Sequence, residues 1–576
     1  MNNKGVSSVY MIMKHPSSWI TMITVILLSL PAMGQSDYIS LGNKQYQLLE
    51  RLDIRTRHDT LLGFTTVKPY DRRKMTERVL YIDSLDKRGV LPFPLSSTDR
   101  YNIRRLIMDN WEWAPAYADS FRVKPVFGVF YKTPANLYAV STSNFKLAID
   151  PLLNLQFGRA NDGTGNIYTN TRGIMLRGNI ANKVGFYSIL TDNQEKDPAY
   201  VRDFVAHNGA VPGEGFYKPY RTSGYDYFDA RGGISFNLAK YFDIQFAYDK
   251  LFIGNGFRSL FLSDFSSNYL YLRISTRIWK FDYENIFAQT IAPFPPYGSD
   301  GRAMHPRNYM MIHHLSLQVA KWLNLGFYEN VMEDGKNGLQ LSYLNPVIFY
   351  RSVEQQLGAA GKANVGFDFK SNVTSSVQLY GQLLINEFVT KEVFHYSRGS
   401  YVNKQAFQLG AKYIDAFFVH NLDVQAEVNY IRPYTYTNFD STTNLTHYRQ
   451  PLAHPLGANL KEFIGIARYQ PLPHLYLTGK LMYHLQGLDS AGVNFGGDVS
   501  RGYETRPRDY GFFIGSGTPV KSTTAALSVS WEIFENMFID LNSTYRTYNV
   551  QGQPNTSTFF YTVGFRVNLQ PREFNF

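Results

Sequence analysis

Apolar and polar residues alternate with a period of two along most of the chain. The stretch 228–290 has the clearest pattern; within it, leucine and isoleucine between Leu270 and Ile278 alternate with tyrosine, arginine and serine. Successive side chains of a β-strand point to opposite faces, so the alternation predicts strands with one apolar and one polar face. Segments of about ten residues can cross a bilayer at a tilt. The pattern therefore predicts a transmembrane β-barrel, apolar toward lipid and polar toward the lumen.

Counting these segments gives an all-β barrel of about 18 antiparallel strands, an even number as in bacterial single-chain barrels. The predicted strands are 144–158, 171–181, 183–193, 226–239, 241–253, 266–278, 280–291, 307–320, 322–332, 361–370, 374–386, 404–414, 420–431, 461–470, 472–484, 522–531, 536–547 and 557–569. Links after even-numbered strands are brief, whereas those after odd-numbered strands are mostly longer, such as 194–225 and 485–521. Short links belong on the periplasmic side, so both ends of the barrel are predicted to lie there.

The beginning of the chain follows a different pattern. Residues 1–34 are typical of a signal peptide, because lysines precede a short apolar run and small residues follow it. Residues 35–143 are predicted to form a small α-helical periplasmic region, since 71–89 and 98–113 have the composition and apolar spacing of helices. Residues 144–576 then form the outer-membrane β-barrel.

The composition removes several classes of chemistry. Cysteine is absent, which excludes disulfides, thiol nucleophiles and cysteine-ligated zinc. The net charge of +11 comes from basic residues spread along the chain, so we expect no nucleic-acid partner. His313 and His314 are adjacent on a predicted strand and point to opposite faces, so they cannot share a metal. No catalytic motif is present either, and we predict no metal site, no cofactor and no enzymatic activity.

The predicted lumen face carries charges of both signs, among them Asp229, Arg231 and Lys412. A selective ion path more often has rings of one sign, whereas mixed signs favour mutual pairing and a plugged lumen. An open pore is the alternative. The segment 339–360 is too apolar for an ordinary exposed loop, so it is a candidate plug, unless its first part is strand.

Aromatic residues are common in the predicted outer loops, beside amides and charges. Rings can stack on the C–H faces of sugars while polar neighbours bond to the hydroxyls. The candidates for glycan contact in these loops are Tyr217, Tyr220, Tyr297, Tyr434 and Tyr436. Loops of outer-membrane proteins are generally rich in tyrosine, so the composition is also compatible with loops that bind no sugar.

One segment resembles a known family. Gly254–Ile274, GNGFRSLFLSDFSSNYLYLRI, is similar to a region of the Wzi-type capsule-assembly outer-membrane proteins, where a glycine-rich turn precedes a leucine- and serine-rich stretch and a strand. The helical segment ending at Trp113 and the chain length also resemble this family, and most resemble its Bacteroidota branch, which includes RemB-like gliding-motility proteins. The resemblance implies a barrel with the same strand number, periplasmic helices, an occluded lumen and lectin-like holding of polysaccharide. Related members often have a tryptophan-rich glycine turn; here Phe257 and Arg258 stand in that turn and join the glycan-binding candidates.

Together these observations predict a non-enzymatic outer-membrane β-barrel that binds or organises surface polysaccharide, for capsule or exopolysaccharide assembly or retention, or for gliding motility or adhesion. The alternatives are an outer-membrane porin or transporter for small solutes and, with less support, a surface hydrolase. Expected partners are surface polysaccharide, outer-membrane lipid and lipopolysaccharide. The barrel-assembly machinery is a further expected partner, because the terminal aromatic Phe576 resembles the signal that this machinery reads.

Overall fold

Eighteen antiparallel strands close into a barrel in the computed structural model, which describes residues 37–239, 241–293, 305–347, 349–357, 363–387 and 389–576. The strands are β1 (Phe145–Ala160), β2 (Gly165–Ile180), β3 (Val184–Lys196), β4 (Gly224–Leu238), β5 (Phe242–Asp249), β6 (Tyr269–Ile278), β7 (Phe281–Ile291), β8 (Arg307–Ala320), β9 (Leu323–Asp334), β10 (Ala363–Asn372), β11 (Val377–Glu387), β12 (Lys404–Tyr413), β13 (Leu422–Ile431), β14 (Leu460–Leu472), β15 (Leu475–Leu488), β16 (Thr518–Phe534), β17 (Met537–Val550) and β18 (Thr556–Val567). Neighbours in the chain pair with each other, and β18 pairs with β1. The predicted fold class and strand number are confirmed.

Alternation along each strand separates two environments. Arg273 of β6 points into the lumen, where its Nε and Nη2 donate to the carboxylate of Glu284 at 2.8 and 2.7 Å. Leu270 of the same strand faces outward and is exposed. A closed antiparallel barrel with an apolar outer wall satisfies its backbone hydrogen bonds in lipid and leaves no open strand edge. The chain is therefore an outer-membrane protein.

The N-terminal helices lie at the barrel end with the short turns. One such turn, between β2 and β3, has Ala181 and Asn182 at φ values of 53° and 55°, as in tight two-residue hairpins. At the same end, Arg57 Nη2 donates to the carbonyl oxygen of Val373 at 2.9 Å, and Lys44 pairs with Glu532. The short-turn end is the one that the loop lengths assign to the periplasm.

Three helices build the N-terminal region: α1 (Gln45–Thr56), α2 (Arg72–Lys87) and α3 (Ser97–Asp109). Their apolar stripes meet in a buried core that includes Leu49, Val79 and Leu106. A capping box fixes the start of α3, because Ser96 and Asp99 each accept the other's backbone N–H. No helix in the described ranges is long and apolar enough to cross a membrane.

The remaining elements lie in the connections and in the N-terminal region. Three further helices are α4 (Ala199–Asn208), α5 (Tyr350–Leu357) and α6 (Thr390–Phe394). Short strands are Tyr38–Ile39, Val67–Lys68, Tyr70–Asp71, Tyr138–Ser141, Lys218–Tyr220, Phe252–Ile253, Thr446–His447 and Gln450–Pro451. The 3-10 helices are Trp111–Trp113, Pro115–Phe121, Gly335–Asn337, Leu341–Leu344, Tyr396–Arg398, Ala416–Phe418, Ser441–Thr443 and Tyr503–Thr505.

Much of the lumen is filled by residues 250–268, which connect β5 to β6 and which we call the inner loop. Its short strand Phe252–Ile253 pairs antiparallel with Val67–Lys68 of the N-terminal region. Further along, Phe261 is fully buried and its ring stacks on that of Tyr328 at 4.2 Å. The inner loop contains the glycine turn and the leucine- and serine-rich stretch on which the family resemblance rests, so that segment has a structural role inside the barrel.

The segment 339–360 does not fill the lumen, so the prediction that it is the plug is wrong. Its described part lies against the outer wall, where Tyr350 of α5 stacks on His313 at 4.1 Å and Arg351 N donates to Glu329 Oε1 at 3.2 Å. His313 and Glu329 are polar side chains on the outward face, and leaving them in lipid would be costly. The segment is apolar because it covers these two side chains and itself faces the lipid. The neighbouring His314 points inward to Asp368, at 2.8 Å, so the prediction of opposite faces is confirmed.

After β18 the chain turns into the lumen. Asn568 has a φ of 53°, and its Nδ2 donates to the carbonyl oxygen of Pro151 at 3.0 Å. The terminal ring of Phe576 lies 4.7 Å from Phe204 of α4 and 5.7 Å from Phe265 of the inner loop. The terminal aromatic is thus inside the folded barrel. Contact with the barrel-assembly machinery stays a prediction.

We predict that Leu527→Arg destabilises the barrel by about 2–4 kcal/mol, because an arginine at mid-membrane depth faces lipid. Leu527 lies in the middle of β16 with 52% of its surface exposed. The matched change Ile533→Arg, on the same face near the periplasmic end, should lose only about 0–1 kcal/mol. Urea unfolding in lipid vesicles and heat-modifiable migration measure both variants. Equal losses of unfolding free energy in the two variants would contradict the placement of Leu527 at mid-membrane depth and of Ile533 near the membrane surface.

Lys370 of β10 fixes α1 to the barrel wall. Its Nζ donates to Asp53 Oδ2, Leu62 O and Thr65 Oγ1 at 2.8, 2.9 and 2.7 Å. Lys370→Met should weaken docking of the helical region by about 3–5 kcal/mol, since the buried Asp53 carboxylate loses its cation. Limited proteolysis should then cut the N-terminal region while heat-modifiable migration of the barrel is retained.

Two controls accompany the Lys370 variant. Adding Asp53→Asn to Lys370→Met should restore part of the protection, because no buried charge is left unpaired. Arg73→Met removes a solvent-accessible pair with Glu77 and a cation–π contact with Trp113, so it should change protection much less than Lys370→Met. Identical cleavage of Lys370→Met and Arg73→Met would show that the buried pair does not hold the helices.

Candidate functional site

Exposed aromatic rings cluster on one part of the outer face. Three outer connections form it, residues 389–403, 432–459 and 489–517. Their backbones are joined by hydrogen bonds: Gly511 N donates to Arg398 O at 2.9 Å, and Tyr434 N donates to Gly496 O at 3.0 Å. These bonds make one surface from connections that are far apart in the chain.

Two residues under this surface hold it in shape. The buried Arg432 donates through Nε to Asn403 O at 2.7 Å and through Nη2 to Phe512 O at 3.2 Å. Gly399 has a left-handed φ of 62°, and a Cβ at this position would lie 2.8 Å from the backbone nitrogen of Phe512. A close backbone approach of this kind requires glycine. The connections are therefore positioned before any ligand arrives.

The rings on this surface are those of Tyr396, Tyr401, Phe439, Tyr503 and Tyr510, which we call the outer aromatic patch. Phe439 is 67% exposed and Tyr510 is 41% exposed. The ring centre of Tyr503 lies 5.6 Å from that of Tyr401 and 6.4 Å from that of Phe439, so three of the rings are in contact. Neighbouring half-exposed rings offer a stacking surface longer than one sugar unit.

Guanidinium groups lie over the rings of the patch. Arg506 is 3.8 Å from the ring centre of Tyr401, and Arg398 is 4.2 Å from that of Tyr510. Arg506 is also paired with Asp509 at 2.9 Å, which keeps it in place. Such cation–π contacts contribute about 0.5–1 kcal/mol each at exposed sites. Each guanidinium covers one face of its ring and places N–H donors next to the rest of the patch.

The phenol groups add neutral donors and acceptors. Burial, with a smaller effect from Glu387, raises the pKa of Tyr503 to about 12. Its hydroxyl therefore keeps its proton at neutral pH and can both donate and accept a hydrogen bond. No group of three His, Asp or Glu side chains suited to a metal occurs within the ranges that the structure describes. Rings beside neutral hydrogen-bond donors and acceptors have the chemistry that suits a hydroxyl-rich ligand.

Tyr434 and Tyr436, predicted to contact glycan, lie under this surface. The hydroxyl of Tyr434 donates to Asn494 O at 2.8 Å, and that of Tyr436 donates to Leu260 O at 3.2 Å. Phe512 packs edge-on against Tyr434 at 4.9 Å. Both rings are enclosed, so neither can stack on a sugar without first moving. In this structure Tyr434 joins two outer connections to each other, and Tyr436 joins the outer connections to the inner loop.

The other predicted loop tyrosines lie elsewhere on the outer end. Tyr217 is buried edge-on against Tyr225 at 4.9 Å. Tyr220 is partly exposed, with the guanidinium of Arg221 5.2 Å from its ring centre. Tyr297 lies outside the described residues. Of the two that the structure describes, Tyr220 has the partly exposed ring and Tyr217 the buried one.

Phe257 and Arg258 lie deep in the lumen. The guanidinium of Arg258 contacts the carboxylate of Glu462 at 2.8 and 3.2 Å. The backbone nitrogens of Phe257 and Arg258 donate to Glu427 at 2.7 and 3.1 Å. His454 Nε2 donates to the same Glu462 carboxylate at 2.8 Å. These contacts fix the glycine turn of the inner loop to the barrel wall.

The members of the outer aromatic patch were not among the residues predicted to contact glycan. Their clearest signal is the segment 503–510, YETRPRDY, where two tyrosines flank two arginines. Composition alone could not rank it above the segment containing Tyr434 and Tyr436, because both are rich in tyrosine. Exposure depends on contacts between distant connections.

Comparison with known proteins places the fold. The chain matches no protein-family model and no curated protein. It is similar to the solved structure of Wzi from Escherichia coli, with a TM-score of 0.52 and 12% sequence identity. The match covers 93% of this chain and 100% of that chain. Wzi is described as an outer-membrane protein involved in group 1 capsule assembly and as a carbohydrate-binding β-barrel. It also matches OprD from Pseudomonas aeruginosa, with a TM-score of 0.41, 11% identity, and coverage of 73% and 95%. The likeness to Wzi agrees with the predicted resemblance at the level of fold; the Bacteroidota branch stays a prediction.

Proposed function

We propose that the chain is a non-enzymatic outer-membrane barrel that binds surface polysaccharide at the outer aromatic patch and so retains capsule or exopolysaccharide on the cell. The observation that carries the proposal is the position of the patch. Its rings and guanidinium groups lie on hydrogen-bonded connections above a lumen largely filled by the inner loop. In a gliding bacterium, the same binding would serve adhesion to a surface.

Polysaccharide binding suits this surface for a physical reason. A sugar in water is already well hydrogen-bonded, so each new contact contributes little. Affinity then comes from several rings that are held in place before binding, because little side-chain entropy is lost. The Wzi structure is described as a carbohydrate-binding barrel, which supports the proposal by analogy of fold. Outer-membrane lipid and lipopolysaccharide remain expected partners of the wall.

A second candidate is a porin or transporter for small solutes. The observation that favours it is a cavity of about 720 Å³ in the lumen, most of whose lining residues are polar or charged. Passage of a solute would require movement of the inner loop or of the C-terminal residues, since both occupy the lumen beside this cavity. Retention of polysaccharide needs no such movement.

We predict that Phe439→Ser/Tyr503→Ser/Tyr510→Ser releases cell-associated polysaccharide into the medium while the barrel still assembles. Each ring should contribute about 1 kcal/mol through stacking. The triple variant should therefore bind purified polysaccharide on the order of a hundredfold more weakly, and Tyr510→Ser alone about fivefold. Binding is measured with detergent-purified protein and polysaccharide from the cells that express it.

The matched control is Tyr81→Ser/Phe130→Ser, which removes two exposed rings of the N-terminal region. It should leave both polysaccharide retention and affinity unchanged. If the triple variant kept its affinity, the outer aromatic patch would not be the binding surface. If the control lost as much as the triple variant, a general effect on the outer membrane would be the cause.

A further inference from the structure

The cavity in the lumen extends from one end of the barrel toward the other. Its lining includes Gly42 and Asn536 near the periplasmic end and Pro212 and Glu214 from the outer connection after β3. The volume of about 720 Å³ is typical of a ligand pocket rather than of a packing defect. Amide and hydroxyl side chains such as Thr191 line the wall of β3.

The C-terminal tail, residues 568–576, lies in this cavity. Arg572 pairs with the carboxylate of Glu195 at 3.0 and 3.2 Å, and Tyr200 donates its hydroxyl to Phe574 O at 3.1 Å. The tail takes part in no strand pairing within the described part of the chain. Ion pairs, a few hydrogen bonds and the aromatic contacts of Phe576 hold it, so it is bound more like a ligand than like a strand.

The wall opposite the tail is cationic. Lys412 of β12, Arg468 of β14 and Lys480 of β15 line the cavity. Arg468 donates to the neutral Gln425 at 3.1 Å and has no ion pair with a carboxylate among the described residues. Lys480 pairs with Glu573 of the tail. The two lysines of this part of the wall are paired with carboxylates on segments inside the barrel.

Lys412 illustrates the same division of charge. Its Nζ pairs with Glu50 of α1 at 3.1 Å. Burial alone would raise the pKa of the Glu50 carboxyl, yet Lys412, Lys68 and Arg468 together bring this pKa down to about 2. The Glu50 side chain is partly exposed inside the lumen, and a carboxyl held this acidic by its neighbours indicates a positive local potential. The same positive potential would attract a further anion to Arg468 and Lys480.

We propose that Arg468 and Lys480 form an anion-binding site in the lumen that Glu573 occupies at rest and that takes a carboxylate-bearing saccharide when the tail leaves. The site is separate from the outer aromatic patch, and its existence does not depend on polysaccharide binding there. The Glu573 side chain is 36% exposed to the cavity. A soluble anion can therefore reach Lys480 and compete with the Glu573 carboxylate for it. The hydroxyl and amide groups of the lining suit the sugar ring that carries the carboxylate.

Replacement of the internal anion gives the first test. Trigalacturonate is the probe, maltotriose is the uncharged counterpart, and binding is measured by calorimetry in detergent. The outer-patch triple variant is the background, which removes binding outside. Glu573→Gln should raise the affinity for trigalacturonate at least tenfold and leave that for maltotriose unchanged. Adding Lys480→Met and Arg468→Met should abolish the gain. An unchanged affinity after Glu573→Gln, or a gain that survives loss of both cations, would overturn the site.

Displacement of the tail gives an independent test that leaves Glu573 in place. The chain has no cysteine, so Asn575→Cys provides a single position for a nitroxide label. Trigalacturonate at saturating concentration should make the label more mobile, and maltotriose should not. In the Lys480→Met/Arg468→Met background, trigalacturonate should have no effect. A label whose mobility is the same with and without trigalacturonate would show that the tail is not displaced and would overturn the proposal.

Discussion

A charge that faces the lumen of this barrel is costly without a partner, because the interior is poorly hydrated. Several wall charges find that partner on a segment inside the barrel. Lys370 of the wall holds Asp53 of α1, and Asp423 of the wall holds Arg51 of the same helix. Arg258 of the inner loop is paired with Glu462 of the wall. The barrel wall and the segments inside it, α1 and the inner loop, therefore stabilise each other.

The same constraint explains features that have no obvious role by themselves. On the outward side, His313 and Glu329 would face lipid, and the segment that contains α5 covers them. At the outer end, the buried Arg432 bonds to carbonyl oxygens of two connections and so keeps them together. A surface that is fixed from below in this way can present half-exposed rings without collapsing them into a core.

Periodicity was enough to predict the strands, because each strand is a local pattern with lipid on one side and polar groups on the other. Each predicted strand corresponds to an observed one, although β2 begins at Gly165 rather than at 171 and β5 ends at Asp249 rather than at 253. Residues 252–253 kept the alternation but pair inside the lumen with Val67–Lys68. Such a partner is far away in the chain and leaves no local signal.

Contacts between residues that are distant in the chain determine which segments and which rings are buried, and the sequence alone could not predict this. The apolar segment 339–360 and the inner loop are both candidates for burial, but only the inner loop has wall charges such as Glu427 to receive it. Tyr434 and Tyr503 have the same side chain, yet one is enclosed by Phe512 and the other is partly open. Residue type predicted that the outer end is aromatic; contacts between connections determine which rings face outward.

Ionic current through the purified protein in a planar lipid bilayer is the most direct test of an occluded lumen with its function at the outer face. The full chain should give no steady porin-like current. A variant lacking residues 254–263 of the inner loop should insert in the same way and conduct, which verifies that inserted protein is being measured. Steady open-channel current from the full chain, comparable to that of the variant, would contradict the occluded lumen and favour transport of small solutes.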